Sequence, residues 1–196
     1  MVEASLAKLR TAIAPLHAYL ALAPGPAEVV ARCDTAADAV ATLLAAGYLE
    51  EAVRVVAHGL PRREAVWWAC MCATHTAPPD LPEADRAALE AAQAWVRRRG
   101  EAECRAAWDS AQKTAFATPE AWCAVAAFWS GDSLAPPDAP KVPPAAHLPG
   151  TAIAGSVGLA TVRIAPARAT KRLQAFLDSA REIASGGAGR LAPEAP

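Results

Sequence analysis

This chain has no apolar run long enough to span a bilayer, no block of like charge and no even set of cysteines. The first absence predicts a protein without a membrane span, because a spanning helix needs about 20 apolar residues. Nineteen basic residues stand against 20 acidic ones, for a net charge of −1. That balance excludes the basic excess of a chain-wide nucleic-acid binder and the acidic block of a solvating tail. Five cysteines leave at least one thiol over if the others paired. Cys33, Cys70, Cys72, Cys104 and Cys123 therefore read as small buried hydrophobes in a reducing, cytoplasmic setting. Aromatic residues are also scarce at 6%, yet six of them are tryptophan.

The beginning of the chain has a faint likeness to an export signal, with Lys8 and Arg10 ahead of a mostly apolar stretch over 11–23. Glu3 in the basic part, Pro15 and His17 in the apolar part, and Pro24 after the would-be cleavage point all oppose it. The expectation is an amphipathic first helix kinked at Pro15.

Hydrophobic residues make up 54% of the chain, and alanine supplies much of that figure. Alanine is the best helix former and is poor in strands, so an all-α fold follows. The most informative helix runs over 61–75. After Arg62, Arg63 and Glu64 it holds no polar residue from Ala65 to Ala73 and includes Trp67 and Trp68. A helix apolar on every side must be surrounded by protein. Caps and stops are legible around it. Asp34 and Thr35 can start a helix that Gly47 ends; the next runs over 48–58 to Gly59, and Pro61 opens the tryptophan helix. Further helices are expected over 82–99, around Cys104 and Trp108 as far as Ala115, and from Thr118 through Trp129. Two more cover 150–164, where Gly155 and Gly158 would let another helix approach closely, and a stretch opened by Pro166. The architecture expected is a compact multi-helix bundle with helical-repeat-like antiparallel hairpins. It forms one domain over 1–185, with a proline-rich, extended connector at 132–149 and a disordered tail at 186–196.

Motifs that carry chemistry are weak. Cys70-x-Cys72-x-x-His75 lies on one helix, where residues two apart point about 200° away from each other, so the thiols cannot chelate one ion. His75 is expected to satisfy carbonyls at its own helix end. The stretch from Gly155 to Gly158 superficially resembles a hydrolase elbow, but position 154 is alanine and no strand precedes it. Ser156 is read as a hydroxyl at a helix–helix contact. The glycines at 186–189 lack the Lys-Ser/Thr of a phosphate loop. His17, His58, His75 and His147 have no carboxylate at a repeated helical spacing. No metal, cofactor, nucleic acid or membrane partner is expected. Since adjacent Trp67 and Trp68 lie about 100° apart on a helix, one of them is expected to reach a second layer or a partner surface.

The strings LPRREAVWWACMCA and AWCAVAAFWSGDSLAPPD, with the closing helix and its Gly-rich end, resemble an uncharacterised bacterial all-helical family, a domain of unknown function. The likeness covers about residues 30 to 190, and the Trp-Trp helix and the Trp-Ser-Gly-Asp string before the prolines are its most specific pieces. It implies no activity and no catalytic residues. It carries a loose association with gene neighbourhoods of type VI secretion and related contractile assemblies. The function expected is a non-enzymatic adaptor, assembly or accessory protein that contacts a protein partner. The alternative is a small enzyme or ligand-binding protein with a pocket between helices. The surface expected to meet a partner comprises Arg62, Arg63 and Glu64 with Pro136, Pro137, Pro143 and Pro144, since long proline-rich loops present a preformed extended shape.

Overall fold

The computed structural model describes residues 6–195; residues 1–5, Glu3 among them, and residue 196 lie outside the described residues. The helices are α1 (His17–Leu20), α2 (Pro24–Val30), α3 (Ala36–Ala45), α4 (Leu49–Gly59), α5 (Arg62–Thr76), α6 (Glu83–Arg98), α7 (Glu101–Ala111), α8 (Pro119–Trp129), α9 (Leu148–Val162) and α10 (Ala169–Ala184). Of these, α3 to α6, α8 and α9 lie within a residue or two of their expected bounds, and no expected cap or stop marks α1 and α2. Among the described residues there is no strand, only an isolated bridge between Ala12 and Thr35, so the fold is all-α. No single helix is long and apolar enough to cross a membrane among the described residues.

Thr35 starts α3 through a reciprocal cap, its hydroxyl accepting from Asp38 N while the Asp38 carboxylate accepts from Thr35 N. Gly47, at φ +82°, makes the left-handed turn into α4. Helix α5 lies at the centre, packed against α9, α6, α8 and α10. Trp68 is fully buried there, and its indole N–H donates to Phe176 O at 2.8 Å, so the largest side chain of the core leaves no donor unpaired.

Helices α8 and α9 share the most extensive contact, and small side chains fill it. Ala121, Ala124 and Ala127 on α8 and Ala152 and Ala160 on α9 are all buried. Ser156 donates to Pro119 O at 2.9 Å and lies 3.2 Å from Cys123 Sγ, the helix–helix hydroxyl expected from the sequence.

Two charged pairs fasten these helices. Glu120, fully buried in the first turn of α8, accepts from both terminal nitrogens of Arg163 at 2.7 and 3.1 Å. Arg172 of α10 donates to Thr161 O and Arg163 O, which closes the end of α9, and forks onto Glu194 at 2.6 and 3.1 Å. Orphan carbonyls at a helix end need such donors.

Several expectations differ from what is found. Instead of one kinked helix over 11–23, the chain makes 3-10 turns at Ala7–Leu9 and Ala14–Leu16, the four-residue α1, and a left-handed Ala21 at φ +47°. Between them Ile13 N donates to Asp34 O and Ala36 N to Thr11 O, a main-chain pairing that a helix there would forbid. The tail expected to be disordered is instead docked over 186–195. Ala188 O accepts from Trp67 Nε1 at 2.7 Å, Gly189 O from Ser179 at 2.6 Å, and Glu194 N donates to His75 O at 2.7 Å. Trp67 thus reaches a second layer supplied by its own chain. His75 pairs through Nδ1 with Ala192 O, not with carbonyls of its own helix. In addition, α7 stops at Ala111, short of Ala115, which is exposed.

Candidate functional site

Pro61 lacks an N–H and precedes the first turn of α5, so Arg62, Arg63 and Glu64 are presented at the surface before the helix turns inward at Ala65. Each of the three ties α5 to a different element. Arg63 Nε donates to Val96 O at 2.8 Å, in the last turn of α6. Arg62 Nη1 donates to Ser130 O, just past α8, at 3.4 Å. Glu64 pairs with Lys8 at 3.1 Å. Arg99 takes a left-handed conformation at φ +55° and turns α6 directly into α7, so Gly100 opens the second helix instead of ending the first.

Around this junction lie two adjoining clefts, both open to solvent. One, of about 360 Å³, is walled by the start of α5, the α6–α7 elbow and the chain after α8, with Trp95 at its base. The other, of about 350 Å³, shares Arg63 and Glu64 and adds Lys8, Trp67, Arg97 and the chain after α10. Glu64 is occupied by Lys8, and Glu101 by Arg105 at 2.8 Å. With those pairs set aside, Arg62, Arg63, Arg97 and Arg99 line the clefts against one carboxylate, Asp132. None of the four arginines has a carboxylate within ion-pair distance among the described residues.

The proline segment is not an extended connector. Ser133 Oγ accepts from Ala135 N and Val142 N, and Leu134 N donates to Val142 O at 2.8 Å, which folds 133–142 back on itself. Pro136, Pro137 and Pro143 are exposed and Pro144 half-buried, and none of the four lines either cleft that contains Arg62. Only the ends of the segment reach them: Gly131 and Asp132 on one side, Ala146 and His147 on the other. The structure therefore gathers Arg62, Arg63 and Glu64 and leaves the four prolines apart from them.

A second group was not visible in the sequence. Tyr19 stacks on His147 with centroids 4.6 Å apart and, more loosely, on His58 at 6.4 Å. These rings stand between a cleft of about 440 Å³ along α4 and α9 and one of about 300 Å³ below Pro15 and Pro149. Burial, then the nearby charge of His147, holds the His58 imidazole below its usual range. Three residues so far apart in the chain leave no spacing to find. The larger cleft runs past Gly155 and Gly158, where an added Cβ would meet nothing within 4 Å, so no helix among the described residues makes the close approach expected there.

Three of the thiols are held in the protonated form. A hydrogen bond with Cys123, then burial, pushes Cys70 well up; burial does the same to Cys72 and takes Cys104 to about 11. All five cysteines are free, and no cluster of three metal-ligating side chains occurs among the described residues. In comparisons with known proteins, no curated protein and no solved structure matches the chain. One family model does match, over residues 39–184: the family of unknown function DUF6931.

Proposed function

Since the chain belongs to the DUF6931 family, to which no function is assigned, we propose from its own surface that it is a non-enzymatic interaction protein, an adaptor or assembly factor, and that its partner docks across the start of α5. One observation carries this reading. The two clefts there share Arg63 and Glu64 and are each only partly enclosed. A small molecule is normally held in a cavity that covers most of its surface, whereas an open, continuous groove suits a segment of another protein. Arg62 and Arg63 are held in place by main-chain carbonyls and retain further donors, so little side-chain freedom is lost when a partner binds.

The test is affinity purification from the native host with mass spectrometry, followed by binding of the captured partner to variants. Arg62→Glu should weaken binding at least tenfold, about 1.4 kcal/mol, with the melting curve unchanged. A Gly/Ser replacement of 136–144 should have a smaller effect, because those prolines stand outside the clefts. Full binding by Arg62→Glu removes the proposal.

We place the protein in the cytoplasm, on the support of its five free thiols. A partner from a type VI secretion-type assembly is proposed on the resemblance of the tryptophan strings alone, and the same purification tests it. The stacked Tyr19, His58 and His147 favour one alternative, a small enzyme or ligand-binding protein using the clefts beside α9. A metabolite thermal-shift screen on the wild type and Tyr19→Ala separates the two. A stabilising ligand lost in Tyr19→Ala supports the alternative.

A further inference from the structure

We propose that the segment docking at the start of α5 is acidic: a stretch of aspartate or glutamate side chains from a protein partner, forked by Arg62, Arg63, Arg97 and Arg99. This deepens the docking reading above and rests on it. Charge complementarity favours such an occupant. The whole chain carries a net charge of −1, yet these clefts present four arginines without carboxylate partners against Asp132 alone. The first turns of α5 and α7 open onto the same surface, and helix N-termini add positive potential there. Arg97 and Arg99 sit at the end of α6, where they complement its dipole, but their exposed guanidinium groups keep all their donors. Carboxylates are the planar acceptors that guanidinium forks match.

The details favour a peptide over a nucleic acid. The four arginines gather at these two clefts on a chain of net charge −1, so no basic stripe runs on to follow a continuous phosphate backbone. The two tryptophans offer no open ring face for bases: Trp95 is 5% exposed and Trp67 is half-buried with its N–H bound to Ala188 O. Trp95 lines one cleft and Trp67 the other, so each cleft sets an aromatic side chain beside arginines, the combination that makes interface anchors.

The test uses fluorescein-labelled hexaglutamate followed by anisotropy, with hexaglutamine and a six-nucleotide single-stranded DNA as comparisons. Hexaglutamate should bind, at least fivefold more weakly at 300 mM than at 50 mM salt, and hexaglutamine should not. Arg99→Glu should weaken binding at least fivefold. Lys171→Glu, an equal charge change at the far end of α10, should alter it less than twofold. Arg99→Gln, which removes charge without reversing it, should fall between wild type and Arg99→Glu, and melting curves confirm that each variant folds. Equal effects of Arg99→Glu and Lys171→Glu, equal binding of hexaglutamine, or tighter binding of the oligonucleotide overturns the proposal. If a captured partner is lost in Arg62→Glu but is not displaced by hexaglutamate, the docking surface stands and the acidic segment falls.

Discussion

Removing Arg163 while leaving Glu120 in place is the sharpest test of how the core is held. Glu120 has no exposed side-chain surface and Arg163 only 12%, and the two share a two-pronged hydrogen bond at 2.7 and 3.1 Å. Deleting one member of such a pair strands an uncompensated charge, at a cost of about 3–5 kcal/mol. Glu120 lies in the first turn of α8, where the helix dipole favours an anion and offsets part of the loss, so Arg163→Ala should cost about 3 kcal/mol. A chain of 196 residues has an unfolding entropy of about 0.4 kcal/mol/K, so the expected fall in Tm is about 7 °C. Urea unfolding at pH 7 should show the same loss with an unchanged m-value. The double variant Glu120→Met/Arg163→Met removes both charges and should recover to within about 1 kcal/mol of wild type, because an apolar replacement of a buried pair is close to neutral. A loss below about 1 kcal/mol in Arg163→Ala would mean that the pair behaves as a solvated surface contact, and the reasoning fails.

Three other outcomes are expected. The folded state holds His58 below its ordinary value, so the unfolded chain takes up the proton first as pH falls. Stability should decline from about pH 6.5 downward through the folded value, and His58→Asn should flatten that decline in urea melts at pH 7 and 5. Glu194 is also held low, chiefly by its hydrogen bonds to Arg172, so the carboxylate's contribution to docking of the tail is complete above about pH 4.3 and is lost as pH falls through the lower, folded value. Hydrogen exchange should show the Glu194 amide protected at pH 6 and unprotected in Arg172→Met at that same pH. Gly155→Ala and Gly158→Ala, each facing open space inside a helix, should raise stability by about 0.5–1 kcal/mol apiece in thermal melts, and a loss would mean that the space is filled.

Local chemistry was legible in the sequence wherever one helix carried it alone. The Thr35 cap, Gly47, Pro61 and the apolar run after Glu64 act within a turn or two of themselves, and each appears in its expected place. What failed was decided by distant partners. The first segment was drawn off a helical path by Asp34 and Ala36, and the tail was ordered by Trp67, His75 and Arg172, none of which leaves a mark in the tail's own composition. At the candidate site, Arg62, Arg63 and Glu64 were visible as a charged helix entrance. Their convergence with Arg97 and Arg99 depends on the left-handed turn at Arg99, a backbone conformation that an arginine in the sequence does not announce. The Tyr19, His58 and His147 stack comes from three separate elements and has no sequence period.

The alanine-filled contact between α8 and α9 gives the molecule a lopsided tolerance of change. Trimming Ala124 or Ala160 to glycine removes one methyl group and a little helix propensity. Enlarging either to leucine adds three carbons where the neighbouring helix is already close, and rigid helices answer by moving apart along their whole length. Gly59 and Gly131 sharpen the same limit elsewhere, since a Cβ on them would lie 2.7 Å from Ala36 Cβ and 2.4 Å from Cys104 Sγ. A saturation library over these positions would therefore return a one-sided profile. Small residues would survive at Ala124 and Ala160, and bulky replacements of small residues would be confined to positions that already face water, as Val162 does.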